Sequence, residues 1–306
     1  MGGGRGVRLC GLAPFDEAAI VTGERLQALA EVSVTTEKMR GYHTGLASAA
    51  PLCVFQGDFR RIVVNSPSQI APLARARSIF VYTHLLDSFC ADVLPFLRQP
   101  FVLITHNSDD CITEQHRPLL EDGRLVHWFA QNATLFHPQL TALPVGPANS
   151  QWRHGNLAEL ARAARRSGEK RKFVYMNFDV GTNPGIRPQV FALLRSREFI
   201  TAVDRSGFEN YLSQLGEFKF CISPPGNGPD CHRHWECLYL GVIPILQRSP
   251  WTAHFEHQLP MVTIEDWGQL SREFLEREYR RIHETNFDLA LLGMDYWRER
   301  IRERQT

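Results

Sequence analysis

Short apolar runs rich in β-branched and aromatic residues alternate with helical stretches along the whole chain, and this alternation constrains the fold more than any other feature. The predicted strands of the first half cover residues 8–12, 52–55, 61–65, 79–83, 101–105, 125–129 and 142–145. Those of the second half cover residues 172–178, 199–203, 219–223, 242–247 and 261–264. Strands that alternate with helices form parallel sheets covered by helices on both faces. The sequence therefore predicts an α/β protein built from two such halves.

A segment without predicted strands, residues 146–171, separates the halves and ends in a helix rich in Ala, Arg and Glu. A chain of 306 residues is long enough for two domains of ordinary size. We predict an N-terminal domain over 1–150, a linker helix over 151–171, a second domain over 172–285 and a C-terminal helix over 286–306. Residues 269–304 predict one or two amphipathic helices with no later strand.

The balance of charge argues against nucleic acid as the main partner. The chain has 34 basic and 33 acidic residues, a formal net charge of +1, whereas nucleic-acid binding usually requires a strong basic excess. Six basic residues nevertheless cluster in one short segment: Arg162, Arg165, Arg166, Lys170, Arg171 and Lys172. This cluster is interpreted either as a solvated helix and linker or as a patch for an anionic ligand or lipid surface. The second interpretation would allow peripheral contact with a membrane.

Several features predict a cytoplasmic location. Seven cysteines without paired spacing favour reduced thiols over a disulfide framework. No apolar segment typical of a signal peptide follows Met1, and Gly6 does not fit the myristoylation pattern. No apolar run approaches the roughly 20 residues that a membrane helix requires.

The most informative segment follows the predicted strand at 219–223. After Ser223 comes a loop of Pro, Gly and Asn, then a helix expected to begin near Pro229 or Asp230 and to stop at Gly241. A glycine-rich loop that leads into a helix N-terminus presents free backbone N–H groups and the positive end of the helix dipole. This arrangement favours binding of a phosphate.

Two charged residues on the predicted helix suit a nucleotide diphosphate. Arg233 lies in the first turn, where its guanidinium could bond a diphosphate. Glu236 follows three residues later on the same face and suits the vicinal hydroxyls of a ribose. The alternative is that Arg233 and Glu236 form an ordinary surface pair and that Gly226 and Gly228 merely turn the chain.

This segment resembles the donor-binding motif of exostosin-like glycosyltransferases (family 47) and their relatives. The shared features are a Ser-Pro, Gly-rich loop, then Arg, then Glu, then a strand of the form Gly-Val-Ile-Pro-Ile, over about 30 residues. The resemblance implies the glycosyltransferase B fold, in which two Rossmann-like domains face each other across a cleft. It also implies that the second domain holds the nucleotide and the first holds the acceptor, in a metal-independent reaction. The chain is shorter than exostosins and has no transmembrane stem, so heparan-type substrates are not implied.

A zinc site built from Cys231, His232, His234 and Cys237 is the competing interpretation of the same segment. On the predicted helix, Cys231 and Cys237 are separated by about 9 Å of rise. Two thiolates on one zinc ion must each lie about 2.3 Å from the metal, which these short side chains cannot achieve. We therefore predict no metal site.

The turn after the strand at 172–178 should face the same ligand, because ligands of open parallel sheets bind beyond the carboxyl ends of the strands. Asn183 and Arg187 are candidates for the donor's phosphate or sugar, and Arg187 loosely matches an Arg that the family places after this turn. The alternative is a plain connecting loop with a solvated Arg. The predicted donor-binding residues are Ser223, Gly226, Asn227, Gly228, Asp230, Arg233, Glu236, Arg187 and Asn183.

Two strands of the first half end in Thr-His. His84 ends one of them, and His106 ends the other, which continues into Asn107, Asp109 and Asp110. An inverting transfer needs a general base for the acceptor hydroxyl, and we predict His106, Asp109 or Asp110 in that role. The alternative is that residues 107–110 only cap the next helix. His84, Asn107 and Asn149 are predicted to bind the acceptor.

The sequence therefore predicts a glycosyltransferase, hexosyl or pentosyl, that needs no cofactor. It would move a sugar from a UDP- or GDP-linked donor to a hydroxyl of a glycan or glycolipid, with inversion. One rival is a metal-dependent hydrolase using His84, His106, Asp109 and Asp110 as ligands. The other is a non-catalytic nucleotide-binding module, which would keep Arg233 and Glu236 but lack a base.

Overall fold

The computed structural model describes residues 16–42 and 51–305. These residues form two compact units. The first unit contains Val21–Gly155, apart from the gap at 43–50, and the C-terminal residues from Met294 onward. The second contains Asn156–Gly293 and the described residues 16–20. The predicted strand at 8–12 lies outside the described residues. None of the helices in the described ranges has the length and apolar character needed to cross a membrane.

The first unit is built on a seven-stranded sheet in the order β3-β2-β1-β4-β5-β6-β7. All neighbouring strands are parallel except β3, which pairs antiparallel with β2. The central strands are buried on both faces, which explains their continuous apolar runs. The strands are β1 (Val32–Thr36), β2 (Leu52–Gly57), β3 (Ile62–Val63), β4 (Ser78–Tyr82), β5 (Phe101–His106), β6 (Leu125–Gln131) and β7 (Leu140–Leu143).

The helices of the first unit are short except for the last. They are α1 (Gly23–Gln27), α2 (Leu86–Ser88), α3 (Arg117–Leu120) and α9 (Met294–Gln305). Trp297 and Ile301 of α9 are buried, and α9 packs against β5 and β6. The C-terminal helix therefore belongs to the first sheet, although it lies at the far end of the sequence.

The second unit is built on a five-stranded parallel sheet in the order β12-β11-β10-β8-β9. Its core consists of apolar side chains of these strands, such as Val174, Phe220 and Ile245, and of the helices that cover them. The strands are β8 (Lys172–Met176), β9 (Ile200–Ala202), β10 (Phe218–Ile222), β11 (Ile243–Gln247) and β12 (Val262–Ile264). The helices are α4 (Leu157–Arg166), α5 (Arg187–Leu194), α6 (Phe208–Leu215), α7 (His232–Tyr239) and α8 (Arg272–Glu284).

The predicted fold class, α/β with two sheets of parallel strands, is confirmed. The helix expected between residues 229 and 241 is α7, and Gly241 after it has the left-handed φ of +65° expected at a helix C-terminus. One central strand, β1, was not predicted. Three of the five residues in its sequence, Val-Ser-Val-Thr-Thr, bear hydroxyls, yet all five are buried.

Candidate functional site

The loop between β10 and α7 is held in place by hydrogen bonds from the side chains of Arg187 and Asn183. Arg187, the first residue of α5, is buried and donates from Nε to the carbonyl oxygen of Pro225 at 2.9 Å. Asn183 donates to the carbonyl oxygen of Gly226 at 2.8 Å. A Cβ atom built on Gly226 would lie 3.4 Å from the Arg187 guanidinium, so a larger residue would crowd this contact. The loop is therefore a fixed part of the structure.

Arg187 also donates to the carbonyl oxygen of Asp179 at 2.9 Å. Burial, together with the positive charge of Arg233, lowers the pKa of Arg187. These contacts use much of its hydrogen-bonding capacity on the backbone. Arg187 and Asn183 were predicted to touch the donor directly. In the structure Asn183 bonds the loop that carries Gly226, and Arg187 bonds both this loop and Asp179.

Arg233 lies in the first turn of α7, directly after the loop. Its Nε atom is buried and has no hydrogen-bond partner among the residues that the structure describes. The guanidinium carbons of Arg233 and Arg187 lie 5.9 and 5.7 Å from the ring centre of Phe178. Burial acts to lower the pKa of Arg233, but nearby acidic groups, among them Tyr211 and Glu236, act more strongly in the opposite direction. The pKa of Arg233 therefore lies above its usual value, and the guanidinium is charged. A buried donor without an acceptor is costly, so this group is suited to an anion.

Glu236 lies one turn further along α7 and is only 4% exposed. Its Oε2 atom accepts a hydrogen bond from the hydroxyl of Tyr211 at 2.8 Å. Burial raises the pKa of Glu236, while the Tyr211 hydroxyl and the Arg233 charge act in the opposite direction. Glu236 is therefore a buried, oriented carboxyl group, and the alternative of an exposed Arg233–Glu236 surface pair does not hold.

Ser223 and His234 form a buried pair beneath the loop. The Ser223 hydroxyl lies 2.7 Å from Nδ1 of His234, and the Sγ atom of Cys231 lies 3.5 Å from the same ring. Burial lowers the pKa of His234 to about 4, so the imidazole is neutral at pH 7. Asp230 accepts from the indole N–H of Trp235 at 2.8 Å. Ser223 and Asp230 thus form part of the framework around the loop.

Asn227 is exposed at the tip of this loop, between the buried residues Gly226 and Gly228. The helix assumed in the argument against zinc is present as α7, which begins directly after Cys231 and contains the buried Cys237. Within residues 16–42 and 51–305, no group of three or more His, Cys, Asp or Glu side chains is placed to hold a metal ion.

The carboxyl end of β5 in the first unit carries a buried polar network. His106 is 1% exposed; its Nε2 lies 2.9 Å from the carbonyl oxygen of Pro144, and its Nδ1 accepts the backbone N–H of Asn107 at 2.7 Å. Because a carbonyl can only accept, Nε2 must carry the proton. Both nitrogens are therefore engaged, and His106 is poorly suited to take a proton from a substrate or to bind a metal.

Asn107 and Asn149 belong to the same network. The Asn107 side chain donates to Gln27 at 3.0 Å and accepts from Asn149 at 3.0 Å. Asn149 in turn accepts the backbone N–H of Glu24 at 2.9 Å. Asn107 adopts a left-handed φ of +57°, which asparagine tolerates well. The two residues predicted to bind the acceptor thus hold α1 against the end of β5.

A second polar group at this edge is more accessible. Asp110 forms a two-bond ion pair with Arg60, at 2.7 and 3.2 Å, and Asp109 beside it is exposed. His84, after β4, lies with Nε2 3.3 Å from Sδ of Met39. Burial lowers the pKa of His84, an effect partly offset by Asp110, so His84 is neutral at pH 7. The structure thus brings His84, Asp109 and Asp110 to one edge of the first sheet.

Three residues of these sites were not predicted from the sequence: Tyr211, Phe178 and Arg60. Tyr211 contacts Glu236 across 25 residues of sequence, and Arg60 contacts Asp110 across 50. No local spacing signals such pairs. A strand-end rule could have singled out Phe178, which follows β8 by two residues.

The basic cluster on α4 and after it is partly neutralised. Arg162 pairs with Glu209 at 3.6 Å, and Lys172 pairs with Glu217 at 2.7 Å. Lys170 donates from Nζ to the carbonyl oxygens of Gly216 and Leu240 at 2.7 and 2.6 Å, and burial lowers its pKa to about 8. Arg162 and Lys172 are thus paired with carboxylates, whereas Lys170 is bonded to backbone carbonyl oxygens.

No protein-family model and no curated protein matches the chain. Among solved structures, a glycosyltransferase from Rickettsia africae ESF-5 is 11% identical, with a TM-score of 0.47 over 89% of this chain and 97% of that one. The spinosyn rhamnosyltransferase SpnG, solved with thymidine diphosphate, is 12% identical, with a TM-score of 0.43 over 90% and 96%. The glycotransferase of kitacinnamycin is 11% identical, with a TM-score of 0.40 over 92% and 91%. Likeness this weak assigns no role to any residue of this chain.

Proposed function

We propose that the protein is a glycosyltransferase that uses a nucleotide diphosphate sugar as donor. The observation that carries this proposal is the buried Nε of Arg233 in the first turn of α7, which has no hydrogen-bond partner among residues 16–42 and 51–305. The loop next to it is fixed by Arg187 and Asn183. A cation held in this way, beside backbone N–H groups at a helix start, suits a diphosphate.

The diphosphate would lie between the loop at 226–228 and Arg233. As the bond from the anomeric carbon to the diphosphate oxygen breaks, negative charge grows on the leaving group. Arg233 and the N-terminus of α7 would stabilise this charge as preorganised groups, without rearrangement. The same groups would replace the charge of a metal ion, which makes a metal-independent reaction the expected one.

Glu236 would bind the ribose. Its Oε2 is oriented by Tyr211, and Oε1 makes no hydrogen bond with any residue in the described part of the chain. A carboxylate oxygen accepts strongly from a hydroxyl, so Oε1 can select a sugar with a free hydroxyl at that place. Asn227 and Gly228 of the loop would approach the phosphates.

The first unit would supply the base. The acceptor hydroxyl attacks the anomeric carbon, its proton passes to a carboxylate, and the nucleoside diphosphate leaves, so the configuration inverts. His106 is less suited because both ring nitrogens are engaged. The general base would therefore be Asp109 or Asp110. The acceptor would be a glycan or glycolipid, and the reaction would be cytoplasmic.

The metal-dependent hydrolase is not favoured, because both ring nitrogens of His106 are bonded to backbone groups and neither is available to bind a metal ion. A non-catalytic nucleotide-binding module would share the donor site but would have no base. Transfer activity separates the two remaining candidates.

The test is donor turnover, measured as nucleoside diphosphate released from UDP-, GDP- and dTDP-sugars with EDTA present. We expect release with at least one donor, and a drop of roughly 100-fold or more in Asp109→Asn or Asp110→Asn, as typical of a lost general base. Asp295→Asn is the matched control, since this carboxylate is 92% exposed on α9. Nucleotide binding without turnover, unaffected by either substitution, would instead favour the non-catalytic module.

A further inference from the structure

Two aromatic rings are exposed at the carboxyl end of the first sheet. Tyr42, which follows β1, and Phe59, which follows β2, are 44% and 47% exposed. Their ring centres lie 6.0 Å apart with an interplanar angle of 84°, so the edge of one ring meets the face of the other. Such a pair leaves other ring faces open, and solvent exposure of large aromatic side chains has a cost that a ligand would remove. We call Tyr42 and Phe59 the aromatic pair.

Polar groups of complementary type lie at the same edge of the sheet. Arg60 is next to Phe59 in sequence and forms the ion pair with Asp110. Met39 lies in the same short helix as Tyr42, and its Sδ contacts His84. The short helix that ends at Tyr42 thus contacts the imidazole of His84 through Met39, and the Arg60–Asp110 ion pair begins at the residue after Phe59.

Two buried polar atoms at this edge have no partner among the described residues. Thr83, directly after β4, is 5% exposed, and its Oγ1 is unpaired. Gln131, the last residue of β6, is 2% exposed; its Nε2 donates to the carbonyl oxygen of Ser108, and its Oε1 is unpaired. Buried polar atoms almost always have partners, so two exceptions at one sheet edge indicate a ligand or ordered water.

We propose that this edge of the first unit is the acceptor site and that it takes the ring of a saccharide, with the apolar face of the sugar packed on Phe59 or Tyr42. The hydroxyls at the rim of the ring would bond Asp110 and Arg60. This inference rests on the proposed function for its link to transfer, although sugar binding itself does not depend on the donor. It makes the acceptor a glycan recognised through its own sugar ring.

Charge decides against an anionic acceptor. The cation of Arg60 is matched by Asp110, and the charges of Lys38 and Arg61 act on the carboxylate of Asp58. Phosphate-binding sites instead keep a cation available for the anion. A lipid chain would need a continuous apolar surface, but the exposed residues next to the aromatic pair in sequence include the cations Arg40, Arg60 and Arg61. A neutral ring with one apolar face and several hydroxyls fits both halves of this surface.

The experiment is saturation-transfer NMR on the whole protein with methyl glycosides of glucose, galactose, mannose, rhamnose and N-acetylglucosamine, without nucleotide. We expect saturation of the ring protons of at least one glycoside, concentrated on one face of the sugar. The signal should fall at least about fivefold in Phe59→Ala and in Asp110→Asn, and it should remain in Phe59→Trp, which keeps a stacking ring. Phe96→Ala is the matched control, because Phe96 is 48% exposed at the other end of β5.

If no glycoside shows a saturation-transfer signal, or if the signal is equal in wild type and Phe59→Ala, the proposal is overturned. Circular dichroism melting of each variant shows that the fold is retained. Nucleoside diphosphate binding, measured in the same variants, should be unchanged. Loss of sugar binding with nucleotide binding intact concerns this site alone, whereas sugar binding without nucleotide binding would contradict the proposed function instead.

Discussion

Arg187 and Arg233 lie beside the same phenylalanine ring but differ in what satisfies them. Arg187 is bonded to backbone carbonyl oxygens, whereas Nε of Arg233 lacks an acceptor among the described residues. Burial lowers the pKa of Arg187, and repulsion by the charge of Arg233 lowers it further. A bound anion would satisfy Arg233 and relieve the repulsion. Arg187 thus holds the loop in place, whereas Arg233 is the residue that we propose binds the ligand.

The buried His234 makes the stability of the fold depend on pH. An unfolded histidine has a pKa near 6.5, whereas that of His234 in the folded protein is about 4. Between these pH values the unfolded chain takes up a proton that the folded chain does not. The free energy of unfolding therefore decreases as the pH falls from 6.5 to 4, and this one group contributes at most about 3 kcal/mol.

Urea denaturation of wild type and His234→Asn between pH 4 and 7 tests this expectation. The variant should lose stability less steeply with acid, because it has no proton to take up at this position. His257→Asn is the control, since the His257 side chain is 89% exposed and should leave the slope unchanged. Equal slopes for wild type and His234→Asn would contradict the assignment of a buried, neutral His234.

At the scale of elements, the backbone of α1 packs closely against side chains at the end of β5. A Cβ atom built on Gly23, the first residue of α1, would lie 1.9 Å from Oδ1 of Asn107 and 2.6 Å from Nδ1 of His106. Neither side chain can move without giving up its hydrogen bonds to Asn149 or Pro144. Glycine is therefore required at this position for packing.

Gly23→Ala should lower the free energy of unfolding by about 1–3 kcal/mol, as overpacking usually does. Gly123→Ala in the same unit is the matched control, because a Cβ there would meet nothing within 4 Å. The control should change stability by no more than about 0.5 kcal/mol. Urea denaturation of both variants is the measurement, and equal stabilities would show that α1 does not contact β5 as described.

The elements also show what the sequence can and cannot predict. Apolar runs correctly predicted strands such as β5 and β10, because strands buried on both faces must be apolar. The same rule missed β1, where Ser33 and Thr35 are buried in the middle of the sheet. The placement of α9 on the first sheet was equally out of reach, since amphipathic periodicity shows that a helix packs but not on which sheet.

At the scale of the whole molecule, the two units have different chemical characters. The second unit carries a preformed cationic site, and the first carries exposed aromatic rings with a neutralised ion pair. Local spacing predicted Arg233 and Glu236, because a loop and the helix after it are continuous in sequence. It could not predict that Tyr211 orients Glu236, because that contact depends on the packing of α6 against its neighbours.

The account depends most on Arg233 as the ligand for a diphosphate. Isothermal titration calorimetry of UDP, GDP and dTDP into wild type, Arg233→Gln and Arg277→Gln tests it directly. The control, Arg277, is an exposed cation on α8 of the same unit. We expect at least one nucleotide to bind wild type and Arg277→Gln alike, and to bind Arg233→Gln at least about 10-fold more weakly, since a charge-assisted bond is worth about 1.5–3 kcal/mol. Failure of all three nucleotides to bind wild type, or equal affinity in Arg233→Gln, would contradict the account.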